Sequence, residues 1–155
     1  MEAAAGRCRI ALLVPADYAR WLELARGYKA FYQTQVSSAE YQRAWKRLQE
    51  NDGVWGLGAH LDGQLVGITH YLFHTGTWNH EVCYLQDLFV DPRVRGRGVA
   101  RSLIEAVASA ARQRGAERLY WLTQTHNETA RALYDKVAKH NDFIRYDYPL
   151  HLAVV

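Results

Sequence analysis

Residues 91–100 read Asp-Pro-Arg-Val-Arg-Gly-Arg-Gly-Val-Ala and join an apolar stretch to an amphipathic one. The apolar stretch, Val82 to Val90, is typical of a buried strand, and from Val99 to Ala111 apolar residues recur at helical spacing. The segment therefore predicts a strand–turn–helix unit. Its helix N-terminus carries unpaired backbone N–H groups and a dipole, which attract anions. Gly96 and Gly98 would let the backbone approach a ligand closely.

Four arginines surround these glycines, and a phosphate-bearing ligand is their natural complement. They are Arg93, Arg95, Arg97 and Arg101. A dinucleotide fingerprint starting at Gly96 is disfavoured because Arg101 replaces its last glycine, and the Lys-Ser/Thr ending of a P-loop is absent. Two alternatives remain open at this point: a turn with solvated arginines, and a polyanion or nucleic-acid binding module using Arg93–Arg101.

Length, composition and charge limit the class of protein. A chain of 155 residues with 49% hydrophobic and 23% charged residues predicts one packed domain over residues 1–155. The net charge of +3 is too small for a surface that binds nucleic acid over its whole area. Two cysteines, Cys8 and Cys83, are too few for a disulfide scaffold, which favours the cytoplasm. No apolar run reaches membrane-spanning length, so we expect no membrane association.

The remaining pattern predicts an α/β (α+β) fold, a mixed central sheet of about six to seven strands with about four helices on its faces. Asp62-Gly63 favours a tight hairpin turn, and Ser37 with Glu40 has the form of a capping box. The predicted strands cover Cys8–Val14, 54–61, 65–73, 82–90, 118–123 and 143–148, with a further extended piece at 151–155. The first predicted helix starts at Pro15 and ends near Gly27. Two more start at Ser37 and at Val99, and the last runs from Thr129 to Ala138.

A second segment opens the last predicted helix. Asn127 stands at its N-cap position, and Ala130, Leu133 and Tyr134 share one helical face behind it. On this evidence alone, Tyr134 fits a core aromatic as well as a functional residue.

Together the two segments resemble the GNAT superfamily of acetyl-CoA-dependent N-acetyltransferases. Arg95–Ala100 matches the family's Arg/Gln-x-x-Gly-x-Gly/Ala loop, and Asn127–Lys136 matches its Asn-x-x-Ala-x-x-Leu-Tyr-x-Lys motif. The element order upstream is also similar, so the resemblance spans nearly the whole chain. It is closest to the polyamine and histone acetyltransferase branch, and it implies a GNAT fold.

The resemblance implies acetyl-CoA as cosubstrate and no metal. The acceptor would be a primary amine, in a polyamine, a small amine or a lysine side chain, that attacks the thioester directly. Tyr134 would protonate the departing thiolate, and backbone N–H groups at a splayed strand end would stabilise the oxyanion. The implied cofactor-binding residues are Leu88, Phe89, Val90, Arg95, Gly96, Arg97, Gly98, Val99, Ala100, Asn127, Ala130, Tyr134 and Lys136. A non-catalytic CoA-binding protein is an alternative.

The chain departs from the family at the general base, because Gln86 stands where many members carry Glu. Strand alternation turns the neighbouring Asp87 to the opposite face unless a bulge re-aims it. Asp87 is nevertheless the candidate catalytic residue beside Tyr134. Water-relayed deprotonation through Asp87, Glu81 or His126 and capture of neutral amine from solution both remain open.

Three other features of the sequence have weaker interpretations. A zinc site built from His70, His74, His80 and Cys83 is disfavoured, because a turn separates its members. Three aromatics in or near predicted loops would line an amine pocket or belong to the core: Tyr28, Tyr32 and Trp78. The sequence leaves the acceptor amine, the acyl-chain preference and the oligomeric state, including a homodimer, undetermined.

Overall fold

The helices and strands lie in two compact units. The computed structural model describes residues 7–151, with one unit over 7–122 and the other over 123–151. The first unit contains β1 (Arg9–Leu12), α1 (Tyr18–Phe31), α2 (Ser38–Gln49), β2 (Trp55–Leu61), β3 (Gln64–His74), β4 (Val82–Val90), α3 (Val99–Arg114) and β5 (Arg118–Tyr120). The second unit contains α4 (Glu128–Val137).

The five strands form one mixed sheet in the order β1-β2-β3-β4-β5. The first four are antiparallel neighbours, and β5 runs parallel to β4. Neighbouring residues of β3 show that helices cover both faces: a Cβ on Gly67 would touch Val99 and Leu103 of α3, whereas Ile68 packs with Trp21 of α1. The predicted α/β architecture is confirmed.

Local sequence signals are confirmed at the hairpin and at two helix ends. Asp62 and Gly63 have φ of 50° and 80°, as a tight two-residue turn between β2 and β3 requires. Ser37 Oγ accepts a hydrogen bond from Glu40 N at 3.2 Å, so the capping box forms. Gly115 ends α3 with φ of 80°. In each case the residue type dictates the backbone without help from distant parts of the chain.

The first helix does not end near Gly27, as the sequence predicts, but continues to Phe31. A Cβ at position 27 would come within 2.9 Å of the Phe89 ring. The glycine therefore allows α1 to lie close against β4 instead of ending the helix. As a consequence, Tyr28 is on a helix and not in a loop.

The sheet has five strands within residues 7–151, fewer than the six to seven expected. The predicted strand at 143–148 is wrong, because these residues form no regular structure and no other strand lies in the described part of the second unit to pair with them. Phe143, Ile144, Tyr146 and Tyr148 are 76–90% exposed. The predicted piece at 151–155 lies almost wholly outside the described residues. No helix in residues 7–151 is long and apolar enough to cross a membrane.

Candidate active site

The sheet opens between β4 and β5. Their register covers only three pairs, of which the last is Tyr84 with Tyr120, although β4 continues to Val90. The stretch 85–90, which includes the predicted contacts Leu88, Phe89 and Val90, is therefore not paired with β5. An unpaired edge presents backbone N–H and C=O groups to a ligand, and this edge leads into residues 91–98.

The glycine turn that follows has the predicted conformation. Gly96 and Gly98 have φ of 80° and 77°, and a Cβ built on either residue meets no atom within 4 Å. Gly98 is the N-cap of α3 and provides no side-chain cap, and Ser102 N donates the first backbone bond of the helix, to Gly98 O. The N–H groups of Val99, Ala100 and Arg101 therefore have no partner within the helix, which suits an anion.

The four arginines of this segment do not all contribute free charge, so the expectation of four positive charges for a phosphate is wrong. Arg93 pairs with the buried Asp91, and Arg101 pairs with Glu105 at 3.0 Å. The guanidinium of Arg95 lies 5.7 Å from the centre of the Phe89 ring. Arg97 is exposed and forms no ion pair within residues 7–151. The charge left for a ligand is that of Arg95 and Arg97, which weakens the polyanion-binding alternative.

Asp91 fixes the start of the turn. Its carboxylate accepts hydrogen bonds from the Arg93 backbone at 2.9 Å and from the side chains of Arg93 and of Arg20 on α1. These bonds and charges hold the pKa of Asp91 well below its usual range, against the opposing effect of burial. The loop is thereby tied to α1 by a partly buried ion pair between Asp91 and Arg20.

A β-bulge at Gln86 directs Asp87 to the α1–α2 face of the sheet. In the register of β3 with β4, Tyr71 pairs with Leu85 and His70 pairs with Asp87, so Gln86 is the extra residue. Strict alternation would place Asp87 on the face of Leu85 instead. The alternation prediction is therefore wrong and the bulge alternative is confirmed; Gln86 is exposed.

Asp87 belongs to a hydrogen-bonded row of side chains. Its Oδ2 lies 2.9 Å from His70 Nδ1, and the Trp21 indole N–H donates to His70 Nε2 at 3.0 Å. Because an indole nitrogen can only donate, His70 Nε2 must accept, and its proton sits on Nδ1, facing Asp87. The row ends at Trp21, whose indole nitrogen accepts no hydrogen bond.

Asp87 is a carboxylate at neutral pH. Burial raises its pKa, but hydrogen bonds from His70 and Tyr28 and the positive charge of Lys29 outweigh burial and lower the pKa below its usual value. Burial and the Asp87 charge in turn raise the pKa of Tyr28, so its phenol stays protonated and donates. A carboxylate with a lowered pKa is a weak base, and it attracts cations.

Asp87 and His70 line a cavity of about 300 Å³ between the sheet and the first two helices. The wall is largely aromatic, with Trp21, Tyr28 and Tyr41 from the helices and Phe89 from β4. Such a cavity accommodates a small molecule, and its aromatic faces and single deep carboxylate suit a positively charged group. Tyr28 is thus placed in a pocket wall, as one of the two sequence alternatives expects.

The second unit holds the remaining predicted residues. Asn127 is at the N-cap position of α4, but its side chain makes no capping bond and instead donates to Thr123 Oγ1 at 3.3 Å. The predicted apolar face is present: Ala130 and Tyr134 are half-buried, whereas Lys136 is exposed. Their roles in binding and catalysis stay predictions.

Two histidines of the disfavoured zinc site have other partners. His70 bonds Asp87, and His74 Nε2 lies 3.0 Å from the Tyr120 hydroxyl. Among residues 7–151 no group of three metal-ligating side chains occurs. Of the other loop aromatics, Tyr32 packs on Tyr28, and Trp78 is 91% exposed.

Sequence reasoning missed His70, Trp21 and Lys29 as residues of this cavity. The first two carried a signal, because Trp21 lies on the apolar face of α1 and His70 interrupts an apolar strand. Neither position, however, reveals which polar group it meets. His70 pairs with Asp87 because of the bulge at Gln86, and no residue near Gln86 indicates that bulge in the sequence.

Three comparisons bear on the family. The model of the Acetyltransferase (GNAT) family matches residues 18–138. D-amino-acid N-acetyltransferase HPA3 of Saccharomyces cerevisiae is 34% identical over 147 residues, 90% of this chain and 89% of the relative. Thialysine N-epsilon-acetyltransferase of Caenorhabditis elegans is 34% identical over 88 residues, 57% of this chain and 55% of the relative.

The fold is also that of solved acetyltransferases. Aminoglycoside N-acetyltransferase AAC(6')-Iy in complex with CoA matches with a TM-score of 0.83 and 17% identity, over 97% of this chain and 100% of the other. This likeness extends to the fold alone, and it confirms the GNAT architecture that the sequence predicts. With the family match over residues 18–138, it follows that the chain belongs to the GNAT family and is an N-acetyltransferase.

Proposed function

We propose that the protein, as one catalytic domain over residues 1–155, moves an acetyl group from acetyl-CoA to a primary amine by direct attack. The amine would belong to a polyamine, another small amine or a lysine side chain. The observation that carries the proposal is the unpaired edge of β4, which leads directly into the glycine turn at the uncapped N-terminus of α3.

The chain's own groups fit CoA. The free N–H groups of residues 99–101 and the charges of Arg95 and Arg97 suit a pyrophosphate, and the space beside Gly96 and Gly98 admits it. The backbone of Leu88, Phe89 and Val90 would bind the amide groups of the pantetheine arm. Asn127, Ala130 and Lys136 complete the proposed contacts. The similar fold of an acetyltransferase solved with CoA supports this assignment.

In the reaction a C–N bond forms as the amine nitrogen attacks the thioester carbon, and the C–S bond breaks. Backbone N–H groups at the open edge of β4 would stabilise the oxyanion. Tyr134 would donate its phenolic proton to the leaving thiolate, the nitrogen would lose one proton to water, and a proton from water would restore the phenol of Tyr134. No metal takes part in these steps.

Asp87 is assigned a role other than that of the general base, which its position first suggests. Its pKa is lowered and it lines the cavity, so it is an ionised carboxylate at the place where a substrate ammonium would enter. We assign it to binding the substrate ammonium. About one molecule in a few thousand of an alkylamine with pKa near 10.4 is neutral at pH 7, so deprotonation proceeds through water at the pocket mouth.

The relatives support a small acceptor. One is named for D-amino acids and the other for thialysine, and both names denote an N-acetyltransferase that acts on a small amine. A cavity of about 300 Å³ fits a molecule of that size.

The direct test follows CoA thiol release with a panel of polyamines, amino acids, aminoglycosides and lysine peptides. We expect at least one amine to accelerate release above the rate of hydrolysis. Calorimetry should show CoA binding that Gly98→Glu abolishes, because the new carboxylate fills and repels the anion site. Unchanged CoA affinity in a folded Gly98→Glu protein would contradict the assignment.

A further inference from the structure

Lys29 of α1 lines the cavity that holds Asp87, and Arg26, one helical turn earlier, lines a neighbouring cavity. Arg26 and Lys29 are three residues apart and lie on the same side of the helix. The Arg26 guanidinium is 5.7 Å from the centre of the Tyr41 ring, and Lys29 Nζ is 5.6 Å from that of Tyr28. Within residues 7–151, neither forms an ion pair.

Both cations line this second, more open cavity, which has a volume of about 640 Å³. It shares Lys29, Val36 and Tyr41 with the first cavity, and the polar side chains of residues 33–35 form its far wall. Lys29 therefore stands where the two cavities meet, and a ligand whose amine lies at Asp87 would extend past this side chain toward Arg26.

The negative and positive side chains occupy different places along the two cavities. The Asp87 carboxylate is 25% exposed and lies in the first cavity together with Lys29, whereas Arg26 is exposed and lines only the second cavity. The one carboxylate on the same wall, Glu40, accepts two hydrogen bonds from Ser37, at 2.8 Å from its backbone N and 3.0 Å from its hydroxyl. Glu40 and Lys29 interact electrostatically but form no ion pair within residues 7–151, so a ligand carboxylate can still bind Lys29 and Arg26.

We propose, building on the acetyl transfer proposed above, that the acceptor is an amino acid whose ammonium binds Asp87 and whose carboxylate binds Lys29 and Arg26. The same cations would repel the second ammonium of a diamine or polyamine. The substrate class is thus a zwitterion, and the two α1 cations select it by attraction of the carboxylate and by repulsion of a second positive charge.

Three acceptors that differ in one group test the proposal in the unmodified enzyme: an amino acid, its carboxamide and the diamine of equal chain length. At saturating acetyl-CoA, we expect kcat/KM for the amino acid to exceed that for the other two by about 10- to 100-fold, since one charge-assisted contact has that effect. An amide or diamine that reacts as well as the amino acid would overturn the proposal.

Variants of the two α1 cations test whether these residues cause the preference for an amino acid. Lys29→Gln and Arg26→Gln should raise KM for the amino acid, with little change in kcat, and shrink the ratio of amino acid to amide. Arg47→Gln is the matched control, since it removes one exposed cation of α2 that lines neither cavity and should leave the ratio unchanged. CoA affinity measured on each protein reports that it is folded. An unaltered ratio in both α1 variants would overturn the assignment of these residues.

Failure of the acetyl transfer itself gives a distinct result. If CoA binds but no acceptor of any kind accelerates thiol release, the proposed function is wrong, and the substrate assignment with it. If the amide or the diamine is acetylated and the amino acid is not, the proposed function stands and only the zwitterion assignment is wrong.

Discussion

Gly98 and Gly115 terminate the same helix and provide a matched pair of substitutions. Their φ angles are 77° and 80°, and a Cβ at either position meets no atom within 4 Å. Alanine at either residue therefore costs only the backbone strain of a left-handed conformation, about 1–2 kcal/mol. For a chain of this length that lowers Tm by about 2–8 °C in both variants.

The two variants should differ in CoA binding. The methyl group of Gly98→Ala enters the space where the pyrophosphate is proposed to lie, whereas Gly115 is at the opposite end of α3. We expect calorimetry at 25 °C to show Kd for CoA raised about tenfold or more in Gly98→Ala and unchanged in Gly115→Ala. Thermal unfolding checks that the stability losses match. Equal CoA affinity in the two proteins, at equal stability, would refute the placement of the anion site.

Four further substitutions test individual roles. Tyr134→Phe should keep CoA affinity but lower turnover by about 10²- to 10⁴-fold; a parent-like turnover would assign the acid to another group. Asp87→Asn should raise the amine KM about tenfold or more in initial-rate measurements without altering Kd for CoA. Trp21→Phe removes the indole N–H that donates to His70 Nε2, so the row that positions Asp87 loosens and the amine KM should rise in initial-rate measurements. Asp91→Asn should lower the free energy of unfolding by about 1–3 kcal/mol at pH 7; because the pKa of Asp91 is lowered on folding, wild type should lose this advantage as the pH falls below about 4, measured by denaturant titration.

Much of the fold was predictable because short segments determine it. The turn at Asp62-Gly63, the capping box at Ser37 and the glycine at the end of α3 each use a backbone preference that the residue carries itself. The span of β4 was predicted to the residue, since Pro92 and the preceding apolar run define both ends.

Features that depend on distant contacts were not predictable. Gly27 resembles a helix end, and only its contact with the Phe89 ring explains why α1 continues through it. The segment 143–148 alternates like a strand, but alternation does not supply a neighbour to pair with. The arginine cluster looked uniformly cationic, because sequence spacing does not show that Arg93 and Arg101 are paired with carboxylates.

The two halves of the candidate site also differ in how far the sequence predicts them. Its anion-binding half follows from a contiguous motif, so Gly96 and Gly98 were identified from the sequence and have the expected conformation. Its acceptor half joins α1, α2, β3 and β4, and the orientation of Asp87 depends on one extra residue in β4. A shift of register by one residue reverses every side chain beyond it, which is why His70 and Asp87 could not be paired from the sequence.

In the proposed reaction an acetyl group passes from acetyl-CoA to a primary amine. The measurement that tests it most directly uses acetyl-CoA with an isotope label in the acetyl group and quantifies the labelled N-acetyl product by mass spectrometry beside the free CoA thiol. We expect one labelled product for each thiol released, with both rates falling together in Tyr134→Phe. Thiol release without a labelled amine, or no release from a protein that binds acetyl-CoA and every class of amine offered, would contradict it.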